Sequence, residues 1–138
     1  GNILTVNSNK QRLYCFNSKP GLMCEYDMRK PGDTVNTVVL SKEEVTAVAT
    51  DPVSDALIVG FNDGVVKIYD EEKLAVAQGP KLASAQQTSN YVARETINAF
   101  TNIEGKKKPV SQIKVHPDNG SLFASTSGGV IKLLRLQA

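Results

Sequence analysis

The side chains able to do chemistry are few. The chain has one histidine, two cysteines, one lysine run and a series of turn aspartates. His116 stands directly before Pro117, in a turn. A histidine base needs a nucleophile on one side and an orienting acid on the other. No Ser/His/Asp or Cys/His arrangement can be built around His116, which reads as a loop residue. Cys15 and Cys24 match neither a zinc spacing nor a redox spacing. They fall on two runs expected to pair as a hairpin, so a cross-strand disulfide stays open. The favoured reading is two half-buried reduced thiols of an intracellular protein. Asp51, Asp55, Asp63 and Asp70 lie near turns and lack the alternating spacing of a calcium loop. Asp63 reads as a turn aspartate that accepts from backbone N–H groups. Ser127-Gly128-Gly129 sits between strands, where a hairpin turn explains it, and no phosphate-cradling glycine motif is present. Lys106, Lys107 and Lys108 are the candidate interaction residues, able to meet a phosphate, an acidic peptide or a nucleic acid. Three lysines without interleaved aromatics are a weak nucleic-acid signal, and a solvated loop is the favoured reading. No catalytic, cofactor or metal site is predicted, and the chain is not expected to be an enzyme.

Composition points the same way. The 138 residues are 41% hydrophobic, which suits one globular domain with a core. A net charge of +2 is too small to argue for nucleic acid or membrane. No apolar run approaches the roughly 18 residues of a membrane span, and no signal peptide is visible at the start.

The turn residues belong to short strands. Val45 to Asp70 holds three apolar runs, each closed by turn chemistry. Val45–Ala49 ends at Asp51-Pro52, because proline fixes φ and cannot donate to a ladder. Ala56–Val59 ends at Asn62-Asp63-Gly64, where Asp-Gly tolerates positive φ. Val65–Tyr69 ends at Asp70. The stretch is predicted to be an antiparallel three-strand meander.

The pattern recurs. Val110 to Leu136 lays onto it, with Val110 on Val45, Ile113 on Val48, His116-Pro117 on Asp51-Pro52 and Gly128-Gly129 on Asp63-Gly64. A weaker copy opens the chain: Ile3–Val6, Arg12–Phe16, a Pro20-Gly21 turn and Leu22–Asp27. Thr34–Val38 and Thr96–Phe100 share the pattern Thr-(Val/Ile)-Asn and are predicted as fourth strands. The step from Ile3 to Val45 is 42 residues, the length of a four-stranded propeller blade. The expected blades are 2–40, 45–102 with an insertion at 71–95, and 110–138 without a fourth strand. Lys73–Ala77 is a rival fourth strand, and Ala93–Phe100 a rival short helix. The polar insertion is a candidate partner-binding segment.

With these residues in view, the chain resembles the WD-repeat β-propeller family. Asp63-Gly64-Val65-Val66-Lys67-Ile68-Tyr69-Asp70 matches the end of the family's blade motif, with Tyr69 in the tryptophan place and Asp63 at the structural aspartate. Asp63, Gly64, Tyr69 and Asp70 are therefore the structural turn residues that the resemblance implies. The chain departs from the motif elsewhere. It has no tryptophan, no Gly-His dipeptide precedes Val45 or Val110, Pro20 and Gly128 replace the aspartate in the outer copies, and Leu134-Arg135 replaces Trp-Asp. The family's side-chain hydrogen-bond network cannot form as usual, so apolar packing between sheets has to hold these blades.

The fold class expected is all-β, with antiparallel four-stranded meander blades in an incomplete ring, because rings of this kind carry 4–8 blades. The resemblance implies a non-catalytic protein-interaction scaffold in an intracellular complex, cytoplasmic or nuclear. Its partners would be other protein subunits, one of them completing the ring, or a second copy of the chain. The alternative is a nucleic-acid or phosphoinositide-binding propeller acting through Lys106–Lys108.

Overall fold

A computed structural model describes residues 3–7, 11–16, 22–29, 34–51, 54–70, 93–116, 121–126 and 129–135. Among them lie eleven strands, and no helix is long and apolar enough to cross a membrane.

The strands form three antiparallel sheets, each a simple meander. The first runs β1 (Ile3–Asn7), β2 (Arg12–Phe16), β3 (Leu22–Asp27) and β4 (Thr34–Val39). The second runs β5 (Val45–Asp51), β6 (Ala56–Phe61), β7 (Val66–Asp70) and β8 (Glu95–Ile97). The third is β9 (Val110–Val115), β10 (Ser121–Thr126) and β11 (Ile131–Arg135). The first strand of each sheet lies along the first strand of the next, β1 against β5 and β5 against β9. The sheets therefore stack like blades about a common edge.

Two cores hold the stack. Tyr14, Phe16 and Met23 of the first sheet meet Leu57, Val59, Phe61 and Tyr69 of the second. Ala56, Ile58, Val66 and Ile68 turn the other way and meet Val110 and Ile113 of the third. The middle sheet is thus covered on both faces, and all six residues of β6 are buried. Alternation along β6 sends odd and even residues into different cores. Burying side chains of this size stabilises by about 1.5–3 kcal/mol each. At the shared edge, the Thr50 hydroxyl donates to the Val6 carbonyl at 3.1 Å, a direct bond between blades.

Gly60 is where the third blade comes closest to the second. A Cβ there would stand 2.6 and 2.7 Å from Cγ1 and Cβ of Val110 and 3.2 Å from Cδ1 of Ile113. Gly60→Ala is expected to destabilise the protein by about 1–3 kcal/mol through overpacking. Val110→Ala in the same chain should recover part of that loss, measured by urea unfolding of both single variants and the double. Strict additivity would show that Gly60 and Val110 do not share this contact.

Three expectations about element boundaries are corrected. The fourth strand of the second blade is Glu95–Ile97, not Thr96–Phe100. The chain leaves the ladder after Ile97 because Ala99 and Phe100 turn into the second core. Phe100 N–H donates to Gly64 O at 3.0 Å, and Lys108 N–H donates to Phe100 O at 2.9 Å. The same strand rules out the helix considered for Ala93–Phe100. The predicted insertion ends earlier than 95, since Glu95 pairs with Ile68. Residues 71–92 and the rival strand Lys73–Ala77 lie outside the described residues, as do the Pro20-Gly21 turn, Pro117, Gly128 and residues 136–138.

Candidate functional site

The turn residues occupy one hairpin. Phe61 N–H donates to Val65 O at 2.9 Å, which leaves Asn62, Asp63 and Gly64 as a three-residue loop. Such loops end in a left-handed residue, and Gly64 has φ +86°. Asp63 Oδ1 accepts from Val65 N–H at 3.2 Å. Tyr69 lies in the first core with 1% of its surface exposed. Its hydroxyl has no hydrogen-bond partner among the described residues, and burial pushes its pKa up to about 12. Tyr69 thus fills the space between blades as apolar bulk. Asp70 closes β7 opposite Ala56.

The lysine run is placed apart from this hairpin. Ile103 and Lys106 bridge across a turn whose central residues, Glu104 and Gly105, have φ of +54° and +77°. Positive φ at both positions marks a tight primed turn. Lys106 and Lys107 are exposed, Lys108 is half-buried, and the Lys108 backbone is tied to Phe100. A second lysine outside the run, Lys132 of β11, carries its ammonium 5.6 Å from the Phe100 ring centroid. That distance suits a cation–π contact, and it links the third blade to the second.

His116 is half-buried at the end of β9. Among the described residues no group of three or more histidine, cysteine or acidic side chains is arranged to hold a metal ion. Cys15 and Cys24 are thiols on neighbouring strands and are direct register partners.

Sequence reasoning missed a charged cluster at one end of the first blade. Glu25 and Asp27 are buried on β3. Arg12 Nε lies 3.6 Å from Glu25 Oε2, and Arg12 Nη1 lies 3.7 Å from Asp27 Oδ2. Arg29 Nε and Nη2 fork onto the two Asp27 carboxylate oxygens, each at 3.0 Å, and Arg29 N–H adds a third bond at 3.0 Å. Hydrogen bonds from the Arg29 side chain, then from its backbone, hold the Asp27 carboxyl down at about 2. A carboxyl lowered on folding stabilises above its unfolded value, near 4, and that stability is lost as pH falls through about 2. Asp27→Asn should therefore be less stable than the parent at neutral pH and show a flatter loss of stability between about pH 4 and pH 2. Urea unfolding at several pH values reads this directly. Parallel curves for the two chains would remove Asp27 from the acid response.

Also missed were the outward sides of the two end blades. On the first blade, Leu4 is 60% exposed and Val6 44% exposed. Register places Leu4 beside Cys15 and Cys24, and Val6 beside Leu13 and Tyr26. All lie opposite the side that carries Tyr14, Phe16 and Met23 into the core. On the third blade, Ile131 is 70% and Leu133 56% exposed. Lys132, between them, faces the second blade. Ile131 and Leu133 therefore face away from it. The signal was present in the strand alternation, since both faces of β1 and of β11 carry apolar residues.

Such stacked meanders have close counterparts among solved structures. A chain in the crystal structure of a mitotic checkpoint complex superposes with TM-score 0.60 at 19% identity, covering 91% of this chain and 33% of that one. The β-propeller domain of Cps50 (Swd1) from Myceliophteria thermophila gives TM-score 0.66 at 12% identity, covering 98% and 35%. Raptor from Chaetomium thermophilum gives TM-score 0.70 at 17% identity, covering 98% and 11%. The fold is a section of a β-propeller. The ring is not closed by the three sheets described. The propeller section spans about a third of two of those chains and about a tenth of the other. No protein-family model and no curated protein sequence matches it.

Proposed function

We propose that this propeller section is a non-catalytic protein-interaction module, a scaffold element in a multi-protein assembly. One observation carries the reading. The two outward blade faces present Leu4 and Val6 at one end of the stack and Ile131 and Leu133 at the other, with large fractions of each exposed. The facing sides inside the stack bury the same kinds of residue in two cores. Contiguous exposed apolar surface marks a place where protein docks. The occupant that fits is another antiparallel sheet of blade type, because both contacts inside the chain are made that way. The likeness to a chain from a mitotic checkpoint complex, itself an assembly, supports the reading. No observation adds to the nucleic-acid or phosphoinositide alternative.

The mass of the native particle tests this. Light scattering should give a particle larger than the 14.9 kDa chain, enlarged by a second copy or by another polypeptide. Paired substitutions Leu4→Glu with Val6→Glu, or Ile131→Glu with Leu133→Glu, should reduce the particle toward the single chain, because a buried unpaired carboxylate opposes docking. A folded particle of one chain, unchanged by either pair, overturns the proposal. Salt-sensitive binding of nucleic acid, lost on neutralising Lys106, Lys107 and Lys108, would favour the alternative instead.

A further inference from the structure

The outward face of the first blade carries a pair of nucleophilic side chains. Cys15 on β2 and Cys24 on β3 stand directly opposite one another, and both are half-buried. They form one row with Leu4 of β1, whose 60% exposure leaves the row open to a small reagent.

The kind of pairing follows from the end of the hairpin. Met28 N–H donates to Gln11 O at 2.9 Å. That bond lies one step beyond the Arg12–Asp27 pair, so Arg12 and Asp27 do not exchange bonds with each other. The register runs without interruption from Arg12–Asp27 to Phe16–Met23. Antiparallel pairs alternate, so Cys15 and Cys24 are a hydrogen-bonded pair. Cα atoms in such a pair stand about 5.5 Å apart, within the reach of a disulfide. The Cβ atoms, at about 5–5.5 Å, are wider than the roughly 3.8 Å that a relaxed disulfide takes. A bridge can close here only if the two strands draw together locally. A bridge held under such strain is readily reduced again.

We propose that Cys15 and Cys24 are a reversible dithiol–disulfide couple, oxidised by a low-molecular-weight disulfide of the glutathione class. The thiolate of one cysteine attacks a sulfur of the reagent, a mixed disulfide forms, and one reagent thiolate leaves. The second cysteine, as thiolate, attacks the protein-side sulfur, the cross-strand bond forms, and the second reagent thiolate leaves. Two electrons pass from the cysteines to the reagent, and the two cysteine protons end on the two released thiols. Burial, and then the neighbouring Cys24, hold the Cys15 thiol above its usual range, so the bridge forms faster as pH rises. Because the couple lies in the row with Leu4, its closure also reshapes a surface that docking would use. The couple itself does not depend on the docking reading.

The test uses the whole chain under native conditions. Excess oxidised glutathione is added, the reaction is quenched with acid, and remaining thiols are alkylated before mass spectrometry. The expected product has lost both alkylation sites, weighs two hydrogens less than the dithiol, contains a Cys15–Cys24 linked peptide, and returns to the dithiol in excess reduced glutathione. Cys15→Ser and Cys24→Ser should each stop at a single glutathione adduct, which shows that the second thiol resolves the first. A stable adduct on the parent chain, two thiols still open to alkylation, a bridge between chains, or bridging that occurs only in denaturant would each overturn the couple.

Discussion

Phe100→Ala is expected to remove about 3–5 kcal/mol of stability, the range for losing a buried phenylalanine. Domains of this size have only about 5–15 kcal/mol in total, so the variant should unfold near ambient temperature or fail to accumulate. The reason is position more than size. Phe100 is fully buried in the core between the second and third blades. Its N–H is bound by Gly64 O and its carbonyl by Lys108 N–H, so the backbone cannot close over the cavity without breaking those bonds. Lys132 also loses the ring beneath its ammonium. Met28→Ala, at a side chain 49% exposed and outside both docking faces, is the control and should change stability by less than about 0.5 kcal/mol. Thermal or urea unfolding of the three chains decides the matter. Equal stability of Phe100→Ala and Met28→Ala would show that the core is not closed by Phe100.

Gly64→Ala should produce a loss of comparable rank. The position has φ +86°, a conformation that a side chain with Cβ rarely adopts. Strain of that kind costs about 1–3 kcal/mol. The added methyl would also collide with the Phe100 carbonyl and lie 2.8 Å from Lys108 O. Both obstacles are backbone, so neither can rotate away. Removing the Phe100 side chain leaves the carbonyl in place. The Gly64→Ala loss should therefore persist in the milder Phe100→Leu background, whereas the Gly60→Ala loss is eased when Val110 is shortened. Unfolding of the Gly64→Ala chain, alone and combined with Phe100→Leu, measures this. A Gly64→Ala chain as stable as the parent would mean that the hairpin loop can take another shape.

Much of the architecture was legible because it is written in local chemistry. Asn62-Asp63-Gly64 demanded a left-handed residue at its end, and Gly64 supplies it. The spacing of the apolar runs set the blade length. The shared Thr-(Val/Ile)-Asn pattern located β4 and β8, although it overran the end of β8. Phe100 could not be told from a strand residue by its neighbours, since Thr96-Ile97-Asn98-Ala99 alternates polar and apolar right up to it. Its burial depends on where Gly64 and Lys108 are in space.

Sequence by itself determined that this protein is all-β, that its strands are joined as hairpins, and that they repeat as blades. Turn residues and two-residue alternation act over a few positions, and a chain need not fold further to obey them. Only the tertiary structure decided which face of each strand is covered. In β6 every residue is apolar or small, so nothing local assigns Leu57 to one core and Ile58 to the other. Gly60 became a contact only when Val110 was laid over it. Leu4, Val6, Ile131 and Leu133 look like core residues in the sequence. They are exposed because stacking covers one face of each end blade and leaves the other open. The same asymmetry places Cys15 and Cys24 side by side on the open face.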